Sequence, residues 1–444
     1  MARQYFGTDG IRGRVGDEPM TAEFALRLAS AVARVLAPDG GRVVIGKDTR
    51  VSGYMFEAAL EAGFVAAGMD VLLLGPLPTP GIAYMTKALD ADVGVVISAS
   101  HNLYFDNGIK FFDANGTKLP DSVEEKIESF LTESAITQDS SSLGRAKRID
   151  SSREDYQRFC LSTVPGGFNL EHLKIVLDCS HGASYKVAPR VMTELGAEIV
   201  PIGCSPNGKN INDGCGTTHP ELMTVTVKAV GAHLGIAFDG DGDRVLMVDH
   251  EGNLVDGDQL LYILAKAAHA AGKLSGPVVG TLMTNLGLVR ALGQLGIDFR
   301  RANVGDRYVM AMLNETGGNL GGETSGHLLC LDKTTTGDGL VSALQILAVM
   351  VETGQSLAEL SSDMPRFPQT LINVRTEKRI DLDASTPIQN AIRSAEQKIG
   401  DRGRILVRAS GTEPVVRVMV EGEVESEVNQ LAKALADEIS QAAA

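Results

Sequence analysis

The chain has 444 residues, 44% hydrophobic and 22% charged, which is the composition of a globular protein with too much chain for one ordinary core. Roughly two to four domains are expected from that length. A formal net charge of −15 excludes a broadly basic nucleic-acid-binding surface, while leaving room for a local Arg/Lys cluster that holds an anion.

Five cysteines, Cys160, Cys179, Cys204, Cys215 and Cys330, form an odd set without CxxC spacing. That argues against a disulfide framework or a zinc knuckle and for a reducing compartment. The N-terminal residues lack the apolar core of a secretory signal. The longest apolar runs, such as Val341 to Val351, fall short of the ~20 residues that span a bilayer. A cytoplasmic protein with no membrane and no nucleic-acid partner is expected; a monomer and a homodimer are equally open.

In chain order, Thr21 is placed to cap an amphipathic helix running to Leu36. A strand is predicted at Arg42 to Ile45, a helix at Ser52 to Ala67, and a strand at Val71 to Leu74. A helix at Pro80 to Ala88 and a buried strand at Val93 to Ile97 follow. Thr132 to Ser142 is polar and reads as a surface connection. The alternation restarts with strand Lys174 to Leu177, helix Tyr185 to Leu195 and strand Ala197 to Val200. A helix near Glu221 to Val230 and a buried strand Leu234 to Phe238 complete that cycle. A third runs through helix Asp258 to Ala271, strand Pro277 to Thr281, helix Leu286 to Leu295 and helix Asp338 to Val351. Past Pro365 and Pro368 the pattern becomes strand 370–375, helix 384–399, strands 404–408 and 415–421, and helix 424–439. The expected fold is therefore three consecutive α/β domains with mixed, mostly parallel sheets, plus a smaller C-terminal α+β domain. Their boundaries are set at 1–150, 151–254, 255–366 and 367–444.

Four short stretches carry chemistry. Ser98-Ala-Ser100-His101-Asn102 puts hydroxyls just past the carboxyl end of a predicted strand, where open α/β sheets hold ligands. A Ser/Asn-rich turn is the plain alternative. Asp239-Gly-Asp241-Gly-Asp243-Arg244 also follows a strand, and three carboxylates at alternate positions call for a hard cation, Mg²⁺ or Ca²⁺. An EF-hand is excluded, because Arg244 stands where Gly is required and His250 where Glu is required. Arg408-Ala-Ser410-Gly411-Thr412-Glu-Pro, with Arg417 beyond it, has the composition of an anion-binding nest, and equally that of a plain β-turn with exposed arginines. Gly322-Glu323-Thr-Ser325-Gly-His327 offers a carboxylate for sugar hydroxyls and an imidazole for proton movement, though by itself a Gly-rich turn with a satisfied His is the commoner arrangement. Arg12, read on a flexible loop, and Lys110 are further cations within reach of an anion.

Two decoys fall away. Gly41 to Lys47 fits GxxxxGK, but Asp48 replaces the Ser/Thr that a phosphate loop needs and the middle reads as a strand. Neither Ser98 nor Ser100 sits in a GxSxG elbow, which argues against an α/β-hydrolase.

The four stretches occur in the order of the α-D-phosphohexomutases, and the chain resembles that family from Tyr5 to its last helix. Phe6 to Gly13 and Val304 to Tyr308 resemble the branch whose substrate is a phosphorylated hexosamine. The resemblance implies a central-cleft active site and an isomerase that moves a phosphoryl group within a sugar. It implies Ser100, not Ser98, as phosphoryl carrier, and Asp239, Asp241, Asp243 and the phosphorylated Ser100 as Mg²⁺ ligands. Glu323 and Ser325 fall at sugar-contact positions, Arg244 at a substrate-binding position, and Arg408, Ser410, Gly411, Thr412 and Arg417 at the site for the non-reacting phosphate. Lys110, His327 and Arg12 fall at proton-transfer or phosphate-contact positions. A sugar 1,6-bisphosphate is the implied activator and intermediate. The same chemistry on glucose or mannose phosphates is the nearest rival, and a metal-dependent phosphosugar phosphatase or a turnover-dead phosphosugar sensor are the others. Leu103 and Ala409 stand where the family pattern has Pro, which predicts looser loops at both places.

Overall fold

The computed structural model describes residues 4–376, 381–382, 384–409 and 415–443. The first unit contains β1 (Ile11–Arg14), α1 (Ala22–Leu36), β2 (Gly41–Lys47), α2 (Gly53–Ala66), β3 (Met69–Pro76), α3 (Thr79–Ala88), β4 (Val93–Ile97), β5 (Asp106–Asp113), α4 (Asp121–Phe130) and β6 (Ala146–Arg148). Its sheet runs β1-β5-β4-β2-β3-β6, with β4, β2, β3 and β6 parallel and β5 antiparallel to both β4 and β1. The Thr21 hydroxyl caps α1 by accepting from the Phe24 N–H at 3.2 Å, and the helix buries Phe24, Ala25, Leu28 and Val32 along one stripe. β4 is buried along its whole length, as expected of a strand covered on both faces.

The second unit contains α5 (Ser152–Ser162), β7 (Lys174–Asp178), α6 (Val187–Glu194), β8 (Glu198–Ile202), α7 (Glu221–Val230), β9 (Leu234–Phe238), β10 (Val245–Asp249) and β11 (Leu254–Val255), in sheet order β11-β10-β9-β7-β8. The third contains α8 (Gly257–Ala270), β12 (Val278–Thr281), α9 (Leu286–Gln294), β13 (Phe299–Ala302), α10 (Asp306–Thr316), β14 (Leu320–Gly322), β15 (Leu328–Cys330), α11 (Gly339–Thr353) and α12 (Leu357–Ser361), in sheet order β13-β12-β14-β15. The fourth is β16 (Gln369–Arg375), α13 (Thr386–Ile399), β17 (Gly403–Ala409), β18 (Val415–Gly422) and α14 (Glu425–Ala443), with an antiparallel β16-β18-β17 sheet. The architecture is the three α/β units plus a smaller α+β unit that the hydrophobic patterning predicts.

One apolar core runs through the first three units, joining Val44 and Phe112 to Ile175 and Phe238 and on to Leu260 and Leu344. The fourth unit has its own core around Val418 and Leu435. It docks on the third through polar contacts. Arg404 pairs with the buried Glu421 at 2.6 Å and donates to the Leu282 and Thr284 carbonyls at 2.8 Å each. Glu421 also accepts from the Leu286 N–H at 2.8 Å. Arg404→Met leaves Glu421 buried without its cation, so we expect a loss of about 3 kcal/mol in denaturant titrations. An unchanged midpoint would mean that water replaces the guanidinium at no cost. Among the described residues no helix is long and apolar enough to cross a membrane.

Candidate active site

The carboxyl ends of β4 and β9 point into one cleft, and the loops after them meet there. Ser100 is buried and takes a left-handed backbone, φ 51°, which costs a residue with a Cβ roughly 1–2 kcal/mol. Its hydroxyl donates to Asp239 Oδ2 at 2.7 Å. Ser98 is used differently: its hydroxyl donates to Asp48 Oδ2 at 2.6 Å and accepts from the Ser100 N–H at 2.9 Å. Of the two serines, only Ser100 turns its oxygen toward the acidic loop.

Asp239, Asp241 and Asp243 are buried, and one carboxylate oxygen of each lies within 4.8 Å of the others. The loop can approach Ser100 this closely because residue 240 is glycine; a Cβ there would fall 2.6 Å from the Ser100 carbonyl oxygen. Burial, then repulsion from Asp243 and Asp241, pushes the Asp239 carboxyl well above the usual range. Buried oxygens Asp241 Oδ1 and Asp243 Oδ1 have no hydrogen-bond partner. Three converging carboxylates with orphaned oxygens fit a hard divalent cation.

Sheet register brings the remaining cations in from the side. Ile109 of β5 pairs with Ile97 at the end of β4, and Ile11 of β1 pairs with Ile109, so Lys110 and Arg12 stand on the two strands beside Ser100. Arg12 therefore belongs to β1 rather than to the flexible loop read from the sequence, because the edge pairing with β5 orders the segment. Lys110 Nζ is 2.9 Å from Asp241, 2.9 Å from Asp9 and 3.7 Å from Asp243. Burial favours the neutral amine, but these three carboxylates outweigh it and hold Lys110 charged.

His327 sits between Asp306, 3.3 Å from Nε2, and Asp243, 3.7 Å from Nδ1. Burial favours its neutral form, yet Asp306 and Asp243 raise its pKa to about 9. Beside Ser100 the opposite holds: burial, then Arg244 and Arg12, lower His101 to about 4, so it is neutral. Arg244 Nη1 lies 3.2 Å from His101 Nδ1, and the Arg244 N–H donates to Asp239. Glu323 Oε1 accepts from the Gly305 N–H at 3.0 Å, which ties the β14–β15 turn to the start of α10.

A cavity of about 320 Å³ opens among these groups, lined by Asp9, Arg12, Asp243, Arg244, Asp306, Glu323 and His327 together with Tyr5 and the Gly7–Gly10 and Gly305 backbone. Ser325 is on the same turn as Glu323 but exposed and outside that lining. Arg408 and Arg417 are direct cross-strand partners on β17 and β18, likewise outside it. Partial burial and then Arg417 lower the Arg408 pKa. Like charges placed opposite each other destabilise a sheet unless an anion sits between them. Ser410, Gly411 and Thr412 lie outside the described residues.

Several groups in the site carried no signal in the sequence. Lys118 bonds Asp9 at 2.6 Å and also Asp306, which links the first unit to the third through a continuous ion network. The Thr79 hydroxyl donates to Asp241 Oδ2 at 2.7 Å from the first turn of α3. At Leu103, where the family pattern has Pro, the backbone carbonyl accepts from the buried Arg50 Nη1.

Four segments match the phosphoglucomutase/phosphomannomutase family: residues 3–137 its alpha/beta/alpha domain I, 162–252 domain II, 256–367 domain III and 371–438 the C-terminal domain. The chain belongs to that family. Relatives named phosphoglucosamine mutase match it end to end. That of Nitrosococcus oceani is 57% identical over 441 residues, covering 99% of this chain and 98% of that protein. That of Aeromonas hydrophila is 54% identical over 443 residues, covering all of both. Among solved structures, a phosphoglucomutase/phosphomannomutase family protein of Burkholderia thailandensis superposes with a TM-score of 0.82 at 24% identity, covering 98% of this chain and 97% of that one. The N-acetylphosphoglucosamine mutase of Aspergillus fumigatus, solved with GlcNAc-6P and magnesium, gives 0.70 at 17% identity, covering 99% and 96%.

Proposed function

We propose that the chain is a phosphoglucosamine mutase, interconverting glucosamine 6-phosphate and glucosamine 1-phosphate through a phosphorylated Ser100 and glucosamine 1,6-bisphosphate. Its product would feed UDP-N-acetylglucosamine synthesis. The observation that carries the chemistry is the Ser100 hydroxyl, 2.7 Å from Asp239 and at the head of three buried carboxylates. The choice of sugar is supported by the near-full-length likeness to phosphoglucosamine mutases.

Phosphoryl transfer is governed by positioning and charge neutralisation. Mg²⁺ held by Asp239, Asp241, Asp243 and a phosphate oxygen on Ser100 would neutralise charge on the transferring group. In the forward half-reaction the sugar O1 hydroxyl attacks phosphorus, the bond from phosphorus to Ser100 Oγ breaks, and the bisphosphate forms. The hydroxyl proton leaves to a carboxylate lining the cavity, and Oγ takes up a proton. Lys110 Nζ and the His327 ring, both buried and held protonated by carboxylates, would donate the proton that Oγ takes up. The bisphosphate then turns over, and its 6-phosphoryl group returns to Ser100 Oγ by the reverse bond changes. Arg12 and Arg244, which line the cavity beside Asp243, would contact the reacting phosphoryl group, and Glu323, on the same lining, would face the sugar. Ser325 would contact the sugar beside Glu323, and Arg408 and Arg417, with Ser410, Gly411 and Thr412, would hold the non-reacting phosphate. Division of the chain at 1–150, 151–254, 255–366 and 367–444 then assigns one loop of the site to each unit.

Offering glucosamine, glucose and mannose 6-phosphates with a trace of the matching bisphosphate tests this reading. We expect kcat/KM for glucosamine 6-phosphate to exceed the others by at least about 100-fold, the equivalent of ~2.7 kcal/mol. Preference for mannose or glucose phosphate would reassign the substrate. Release of free phosphate without isomer would make the protein a phosphatase.

A further inference from the structure

Arg50 is fully buried, and its five guanidinium N–H groups meet five acceptors. Nε donates to Asp48 Oδ2 at 2.8 Å. Nη1 donates to the carbonyls of Leu103 at 2.5 Å and Asp106 at 3.1 Å. Nη2 donates to the carbonyls of Ser100 at 3.0 Å and Asn102 at 2.7 Å. Four of the five acceptors are thus backbone oxygens of the segment that begins at Ser100. A planar fork with fixed donor directions sets the positions of those oxygens in a way that no single point charge could.

The same two carbonyls have a second partner from the second unit. Asn212 Nδ2 donates to Ser100 O at 2.8 Å and to Asn102 O at 2.9 Å, which uses both of its hydrogens. Asn212 is itself fixed: its N–H donates to the Ser180 carbonyl at 2.9 Å, and its backbone is left-handed at φ 59°. The β2–α2 corner that carries Arg50 docks on the same unit, with the Val51 N–H bonded to Gly208 O at 2.9 Å and the Thr49 hydroxyl to His181 O at 2.6 Å. Gly240 of the acidic loop packs against this point, since a Cβ there would meet both Ser100 O and Asn212 Nδ2 at 2.6 Å.

We propose that Arg50 and Asn212 are positioning residues for phosphoryl transfer, a two-sided clamp that holds the left-handed backbone of Ser100 and aims its Oγ at Asp239. The clamp rests on the reading of Ser100 as phosphoryl carrier. A left-handed serine persists only when its surroundings over-determine it, and here four hydrogen bonds on two carbonyls do so. Because one jaw comes from each unit, the aim of Ser100 depends on the docking of the first unit against the second. Neither residue lines the substrate cavity, so the clamp acts on the rate of transfer and leaves sugar binding alone.

Arg50→Lys and Asn212→Ala separate this role from plain stabilisation. Lysine keeps the charge beside Asp48 but cannot reach four separated carbonyls, and Asn212→Ala removes no buried charge, so both are expected to fold. For each, kcat should fall about 10- to 100-fold with KM for glucosamine 6-phosphate within about threefold of wild type. The rate at which glucose 1,6-bisphosphate loads Ser100, followed by intact mass, should fall in parallel. Wild-type kcat and loading in both variants overturn the clamp, as does a raised KM with unchanged kcat, which would make these residues substrate-binding. Wild-type protein that takes no phosphoryl group on Ser100 overturns the carrier reading itself, and the clamp with it.

Discussion

Ser100→Ala is expected to yield a folded protein with mutase turnover reduced at least about 10⁴-fold, a loss of more than ~5.5 kcal/mol of transition-state stabilisation. The side chain supplies one close hydrogen bond, to Asp239, and a long contact at 3.4 Å to His101 Nδ1, and nothing in the apolar core leans on it. Alanine has the same Cβ, so the left-handed backbone costs no more than it does for serine, and Arg50 and Asn212 still hold the carbonyl. The stability change should therefore stay within about 2 kcal/mol, the worth of one hydrogen bond to a charged group. Chemistry has no such reserve, because no other hydroxyl in the loop faces the acidic cluster. Ser98 is committed to Asp48 and to the Ser100 amide. Ser98→Ala should still accept a phosphoryl group on Ser100, with slower turnover through a loosened loop. A coupled assay for isomer formation, beside phosphopeptide mapping after incubation with bisphosphate, reads both variants. Phosphate found on Ser98, or turnover above about one per cent in Ser100→Ala, would reverse the assignment of the two serines.

The sequence was most legible where one strong pattern decides the structure. β4, α7 and β9 have the bounds that hydrophobic patterning predicts: β4 and β9 are buried runs closed by turn residues, and α7 is a helix between Pro220 and Gly231 that buries Met223 and Val227 on one face. The motif loops were legible because their residue types state a chemistry, and strand ends deliver them to one cleft. No element is predicted for β5, α4, α5 or α10, which are eight to eleven residues long, and the pattern failed also where an element is short or gets its order from a neighbour. β13, β14 and β15 have three or four residues each, too few to show a period, and β1 becomes a strand only through β5. It failed most at buried charge. Lys47, Asp48 and Arg50 follow an apolar strand and nothing in the sequence marks them as buried, yet all three are, because their partners come from elsewhere in the chain: Glu57 for Lys47, Ser98 for Asp48, four carbonyls for Arg50. Asp9, Lys118 and Asp306 are distant in sequence, so the ion network that closes one side of the cavity exists only in three dimensions. The one available hint was positional: three charged residues within four of a strand's carboxyl end, where α/β sheets place their sites.

Asp241→Asn is expected to separate metal-dependent chemistry from folding. Asp241 Oδ2 accepts from the Thr79 hydroxyl at 2.7 Å and from Lys110 at 2.9 Å, and an asparagine carbonyl oxygen can keep both bonds. The other oxygen, Oδ1, is buried and unpartnered, so an amide nitrogen there displaces no existing hydrogen bond. Removing one of three crowded negative charges relieves repulsion on Asp239 and Asp243, while Lys110 retains Asp9 at 2.9 Å. These effects oppose each other, and metal-free stability should stay within about 1 kcal/mol of wild type. Metal binding should not survive so well, because a neutral ligand replaces an anionic one for a hard cation. Wild-type protein stripped with chelator should lose turnover and regain it with Mg²⁺, and Mg²⁺ at about 100 times its dissociation constant should stabilise it by ~2.7 kcal/mol. In Asp241→Asn that stabilisation should shrink, half-maximal activity should need at least about tenfold more Mg²⁺, and kcat should fall about 10²- to 10³-fold. The thermal shift is the decisive readout, since it reports binding whether or not the variant turns over. Equal Mg²⁺-induced shifts in wild type and variant would place the cation elsewhere, and would leave the triad as a proton-sharing cluster neutralised by Lys110.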